Sequence, residues 1–143
     1  MEPASIVALC GSCFGIAIRA GKLGYDINVL RNRFNTAETQ LQFLRIQVSA
    51  VKTTTETLAR WLDGQQPSAD ESLRIQLSDT LEACEQLLGL IEEHVFKATH
   101  SQQKLGFRSK TKYLWNENSL NGYKDMLQTQ VQVLQLILQC LQL

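Results

Sequence analysis

The 143-residue sequence predicts an all-α fold. We expect a mostly antiparallel multi-helix bundle with four main helices, a long second helix, and an apolar N-terminal helix in or against the core. Apolar residues recur at alternating spacings of three and four, which is the period of a helix that faces a core. Two prolines and eight glycines are too few for a loop-rich β fold. Residues 1–143 are therefore expected to form one domain and, since the sequence stops inside an apolar run, the N-terminal part of a longer protein.

The first helix is predicted from about Ala4 to Lys22. No charged residue lies between Glu2 and Arg19, and a helix that is apolar all round either lies at the centre of its domain or enters lipid. The uncharged residues 3–18 are fewer than the roughly 20 that span a bilayer, so the sequence does not predict a constitutive transmembrane helix. We expect the apolar surface of this helix to be hidden in the resting domain, either permanently or until the helix is released.

The second helix is predicted over residues 27–62, where eleven positions alternate spacings of three and four without a break. Gly64 suits the end of this helix, and Pro67 forbids its continuation. Thr55 is the only polar residue among the eleven, so we expect these positions to face the core. They are Ile27, Leu30, Phe34, Ala37, Leu41, Leu44, Val48, Val51, Thr55, Leu58 and Leu62.

Two more helices are predicted in the second half of the chain. The third runs from about Glu71 to His100, and the fourth begins near Asn116 or Asn118 and continues to the end. Periodicity lapses between them, over residues 101–115. The apolar stripe of the third helix is Leu73, Leu77, Leu81, Cys84, Leu88, Ile91, Val95 and Ala98. That of the fourth is Leu120, Tyr123, Leu127, Val131, Leu134, Leu138 and Leu141.

Charge and motifs exclude several classes of function. Fourteen basic and fourteen acidic residues leave no net charge, which argues against nucleic acid as a partner. No nucleotide-binding loop, nucleophile elbow or metalloprotease motif is present, so we expect neither an enzyme nor a cofactor. Cys10 and Cys13 form a CxxC pair without the second pair of a zinc site. With Cys84 and Cys140, they are expected to be reduced and free of metal.

Two parts of the sequence have the composition of membrane-active segments. The first is the N-terminal helix, where a GxxxG pattern either lets the helix nest in the bundle centre or supports close helix contact elsewhere. Its candidate membrane-active residues are Ile6, Val7, Leu9, Gly11, Phe14, Gly15, Ile16 and Ile18. The second is the segment before the last helix, which is either a surface connector or a contact for anionic lipid head groups. Its candidate residues are Lys104, Arg108, Lys110, Lys112 and Trp115.

Three stretches resemble the HeLo-like domains of fungi, including the helical N-terminal domain of fungal STAND (NLR-like) proteins. The opening residues 1–6 resemble the family's Met-acidic-Pro-x-Ser-Ile start. Residues 110–117 resemble its basic-aromatic stretch before the last helix. Residues 134–141 resemble its closing Leu/Gln helix. The resemblance spans nearly the whole chain.

The resemblance implies a multi-helix bundle that signals or executes regulated cell death or an immune-like response. It implies a cytoplasmic protein that moves to the plasma membrane on activation, where the N-terminal helix permeabilises the bilayer. The implied partners are membrane lipids, further copies of the chain, and an upstream or C-terminal STAND or amyloid signalling partner. The alternative is a non-toxic interaction or oligomerisation module of a STAND receptor.

Overall fold

The computed structural model describes residues 3–33, 38–64, 71–100 and 117–142. They form four α-helices: α1 (Pro3–Arg33), α2 (Glu38–Gly64), α3 (Glu71–His100) and α4 (Glu117–Gln142). These four ranges contain no strand, and the prediction of an all-α bundle with an apolar N-terminal helix is confirmed. The bounds predicted for the third helix and the end predicted for the second are also confirmed.

The four helices pack as a ring in which α1 and α4 each contact both α2 and α3. Cys10 in the first half of α1 contacts the carbonyl of Ala59 near the end of α2. The hydroxyl of Tyr123, near the start of α4, shares a hydrogen bond with Nδ1 of His94, near the end of α3. α1 and α2 therefore run antiparallel, and so do α3 and α4, as neighbouring helices do in an up-down-up-down bundle. α1 lies opposite α4, and its packing is most extensive against α2.

A single apolar core joins the four helices, and leucine supplies half of its buried residues. Thr55 is fully buried in this core. Its hydroxyl donates to the carbonyl oxygen of Val51 at 2.7 Å and contacts that of Lys52 at 3.1 Å. A buried hydroxyl that is bonded within its own helix leaves no unpaired polar group, which explains how a threonine occupies a core position of α2.

The predicted start of the second helix is wrong. Ile27 and Leu30 belong to α1, which continues to Arg33 and is longer than the helix predicted to end near Lys22. α1 has its own buried stripe, and that stripe continues into the stripe of α2 in the same alternation of three and four, so spacing alone does not reveal where one helix stops. Two other predicted stripe positions, Phe34 and Ala37, lie outside the described residues. The buried stripe of α1 is Ile6, Leu9, Cys13, Ile16, Ala20, Leu23, Ile27 and Leu30.

Candidate functional site

In the first half of α1, over residues 5–18, the side that faces away from the bundle is also apolar. Val7 is 72% exposed, Phe14 43% and Ile18 73%. Gly11 and Gly15 lie between them on the same exposed side. Each of the positions 7, 11, 14, 15 and 18 has another member of the set three or four residues away, so the five are neighbours on one helix surface. We call these five residues the outer face of α1.

The structure divides the eight membrane-active candidates of α1 into two sets. Ile6, Leu9 and Ile16 are buried in the core, whereas the other five form the outer face. The expectation that all the apolar surface of this helix is hidden is therefore wrong. α2 and α3 contact one side of α1, and no described residue covers the opposite side.

The two glycines of the GxxxG pattern do not nest α1 in the bundle. A Cβ atom built at Gly11 or at Gly15 would meet nothing within 4 Å. Glycine within a helix costs about 1 kcal/mol relative to alanine. No neighbour in the described part of the bundle occupies the space that a side chain would fill at either position. The interpretation that these glycines let α1 nest in the bundle centre is therefore wrong.

A groove of about 390 Å³ lies beside the outer face, between α1 and α2. Phe14, Ala17, Ile18 and Gly21 of α1 form its apolar wall. Lys22 of α1 adds a charge at one end. The α2 side of the groove carries Lys52, Glu56 and Arg60. We call this the α1–α2 groove.

An ion pair holds α1 to α3. Nε of Arg19 donates to Oε1 of Glu92, and Nη2 donates to Oε2, each at 3.1 Å. Hydrogen bonding to this carboxylate raises the pKa of Arg19. Both side chains are about 40% exposed, and exposed pairs contribute at most about 1 kcal/mol. This contact therefore adds little to the stability of the fold.

Other sequence candidates gain no structural support as a site. Lys104, Arg108, Lys110, Lys112 and Trp115 all lie outside the described residues. Within the four helices, no three His, Cys, Asp or Glu side chains lie close enough together to hold a metal ion.

The four cysteines are free thiols in different surroundings. Cys13 and Cys84 are buried in the core and Cys140 is exposed. Burial is the main cause that raises the pKa of Cys13 and of Cys84 to about 12. Burial also raises the pKa of Cys10, whose thiol contacts the Ala59 carbonyl at 3.4 Å. Because the thiolate is the reactive form, the two core thiols are the least reactive of the four.

We expect iodoacetamide, at mildly alkaline pH, to alkylate Cys140 rapidly and Cys13 and Cys84 only after unfolding. Mass spectrometry of labelled peptides measures this order.

The two core thiols also make the stability of the fold depend on pH. Since they have a folded-state pKa near 12 against an ordinary value of 9.0, the unfolded chain loses their protons first. Stability should then fall as pH rises from 9 towards 12. A Cys13→Ala/Cys84→Ala variant should show a smaller fall, and an unchanged slope would contradict the assignment.

Comparison with known proteins does not assign this chain to a family. No protein-family model matches this chain, and no curated protein or solved structure matches it either. The resemblance to HeLo-like domains stays a prediction, and the outer face of α1 with its adjoining groove is the candidate site that the structure offers.

Proposed function

We propose that this domain is a membrane-targeting executor in which α1 leaves the bundle after activation and permeabilises a bilayer. The observation that carries the proposal is the apolar outer face of α1. α1 is also the one described helix long and apolar enough to cross a membrane, over Ser5–Arg33. Core helices of soluble proteins pass the same test, but only 39% of the most apolar part of this helix is buried.

The charge distribution along α1 fits insertion by its N-terminal half. Residues 3–18 carry no charge and extend over about 24 Å at 1.5 Å per residue. The hydrocarbon layer is about 30 Å thick. Arg19 and Lys22 would then lie near one head-group layer, where long cationic side chains reach water. When α1 leaves the bundle, its buried stripe exchanges contacts with the core for contacts with lipid. The same residues thus stabilise both the folded bundle and the inserted helix.

The resemblance to HeLo-like domains supplies the biological setting of the proposal. The resting protein is cytoplasmic, and activation brings it to the plasma membrane. It acts there as an N-terminal module of a fungal cell-death or immune-like system, with further copies of itself and a STAND or amyloid signalling partner. Deletion of α1 is a poor test of this function, because the helix also supplies core residues such as Leu23 and Ile27.

A disulfide that locks α1 to α2 tests the release of the helix. Because Sγ of Cys10 lies 3.4 Å from the carbonyl oxygen of Ala59, we choose position 59 of α2 for the second thiol, introduced as Ala59→Cys. The experiment uses a Cys140→Ser background to avoid crosslinks between molecules. The oxidised protein should not release dye from vesicles, and the same protein after reduction should release it as the parent does. Counting free thiols checks that the bond has formed.

Dye release by the oxidised protein at the parent rate would contradict insertion of the first turns of α1. Absence of dye release by the parent protein itself, on every vesicle composition tested, would contradict the executor function as a whole. The parent without the added cysteine, carried through the same oxidation, is the matched control for damage by the oxidant.

The open glycine pair favours a second candidate function, an oligomerisation module. Gly11 and Gly15 have no neighbour within 4 Å of an added Cβ atom, so another helix could approach the backbone of α1 closely there. Light scattering of the purified domain without lipid distinguishes the two functions. A stable oligomer that does not permeabilise vesicles would support the module, whereas a monomer that permeabilises them supports the executor.

A further inference from the structure

We propose that the α1–α2 groove is a binding site for the anionic head group of a membrane lipid, occupied while the bundle is still folded. The cations of the groove contact the head-group phosphate, and Phe14 and Ile18 extend towards the acyl chains. This inference rests on the proposed function, for which it supplies the docking step that comes before release of α1.

The charge of the groove selects an anionic partner. Lys22, Lys52 and Arg60 face a single carboxylate, that of Glu56. Nζ of Lys52 lies 3.1 Å from Oε1 of Glu56, and neither Lys22 nor Arg60 forms an ion pair with another described residue. The groove therefore carries an excess of two positive charges on a chain that has no net charge overall, and replacing any of its three cations reduces that excess.

The geometry of the groove brings the charges close to an apolar surface. The side chain of Lys52 lies over Gly21, and a Cβ atom added at Gly21 would come within 3.3 Å of its Cε atom. The absence of a side chain at Gly21 thus allows Lys52 to lie against α1. Phe14 and Ile18 belong both to the wall of this groove and to the outer face, so one surface presents cations and exposed apolar side chains together.

A membrane fits this combination better than an acidic protein does. Aromatic and aliphatic side chains beside lysine and arginine are typical of surfaces that enter the interface of an anionic bilayer. The outer face runs along the helix without a polar residue among its five members. The groove on the other side of α1, next to α3, mixes acidic and basic residues, among them the paired Arg19 and Glu92, and has no such bias.

The test measures binding of the intact domain to vesicles of phosphatidylcholine with and without phosphatidylserine. We expect Lys52→Gln/Arg60→Gln to bind the anionic vesicles about 25-fold more weakly, at about fivefold or 1 kcal/mol for each charge. Lys97→Gln/Arg33→Gln is the matched control, because it removes two exposed cations elsewhere and Lys97 pairs with Glu93 as Lys52 pairs with Glu56. Lys52→Arg should retain binding.

Four results would overturn the site. They are equal losses in the two double variants, equal binding of the parent to neutral vesicles, no binding of the parent to anionic vesicles, and binding to polyglutamate as tight as to anionic vesicles. The oxidised Cys10–Ala59→Cys protein separates this site from the proposed function. It should bind anionic vesicles like the parent while it releases no dye, because docking does not need α1 to leave the bundle.

Discussion

Ile16→Asp is expected to unfold the domain, whereas Ile18→Asp leaves it folded and weakens its action on membranes. Ile16 is fully buried and Ile18 is 73% exposed, although only two positions separate them on α1. An aspartate at position 16 places an unpaired charge in the core, at a cost of about 4 kcal/mol. At position 18 the charge remains in water, and stability should change by at most about 0.5 kcal/mol.

Placing aspartate on the two opposite faces of α1 separates loss of folding from loss of membrane insertion, which a single variant cannot do. A charge at the bilayer centre opposes insertion by about 3 kcal/mol. Position 18 lies beside Arg19 at the edge of the inserted segment, so we expect roughly half of that cost and a loss of about tenfold in dye release by Ile18→Asp. Thermal unfolding followed by circular dichroism confirms that it is folded. Leu136→Asp on α4 is the control, since Leu136 is 60% exposed on another helix and should keep both properties. Parent-like dye release by Ile18→Asp would contradict a membrane role for the outer face.

Periodicity predicts the core of this fold well, because burial follows directly from apolar spacing. The stripes of the third and fourth helices are buried at nearly every position predicted. The break between α1 and α2 could not be found in the same way, since the two stripes are in register. Asn35 and Thr36 are residue types that favour the start of a helix, and they precede Glu38, where α2 begins. That local signal was the one available indication of the break.

The candidate site was only partly predictable. The sequence indicates that the N-terminal helix is unusual, but a helix with apolar residues on every side does not show by composition which side is buried. The alternation from Ile6 to Leu30 would have identified the buried side. A sequence pattern alone could not predict the α1–α2 groove, because Lys52 and Arg60 lie far along the chain from Phe14. They lie beside α1 only because α2 packs against α1 with this face turned towards it.

Gly11→Ala/Gly15→Ala is expected to stabilise the domain, in contrast to most substitutions within a helix. Each alanine removes the conformational cost of a helical glycine, about 1 kcal/mol, and each new Cβ atom meets no neighbour. The melting temperature should rise by roughly 4 °C for each substitution. Gly21→Ala is the matched control on the same helix, where the new Cβ atom would press on Lys52 at 3.3 Å and should gain less.

A second pair of substitutions at these glycines distinguishes what the outer face contacts. Isoleucine at positions 11 and 15 blocks close approach of another helix backbone but adds apolar surface that favours lipid. If the outer face binds the membrane, Gly11→Ile/Gly15→Ile should bind vesicles at least as tightly as the parent. If it joins two copies of the chain, the same variant should lose the oligomer seen by light scattering. Weaker vesicle binding by the isoleucine pair, with its helicity retained by circular dichroism, would contradict the membrane assignment, because added apolar surface on a side that enters lipid should strengthen binding.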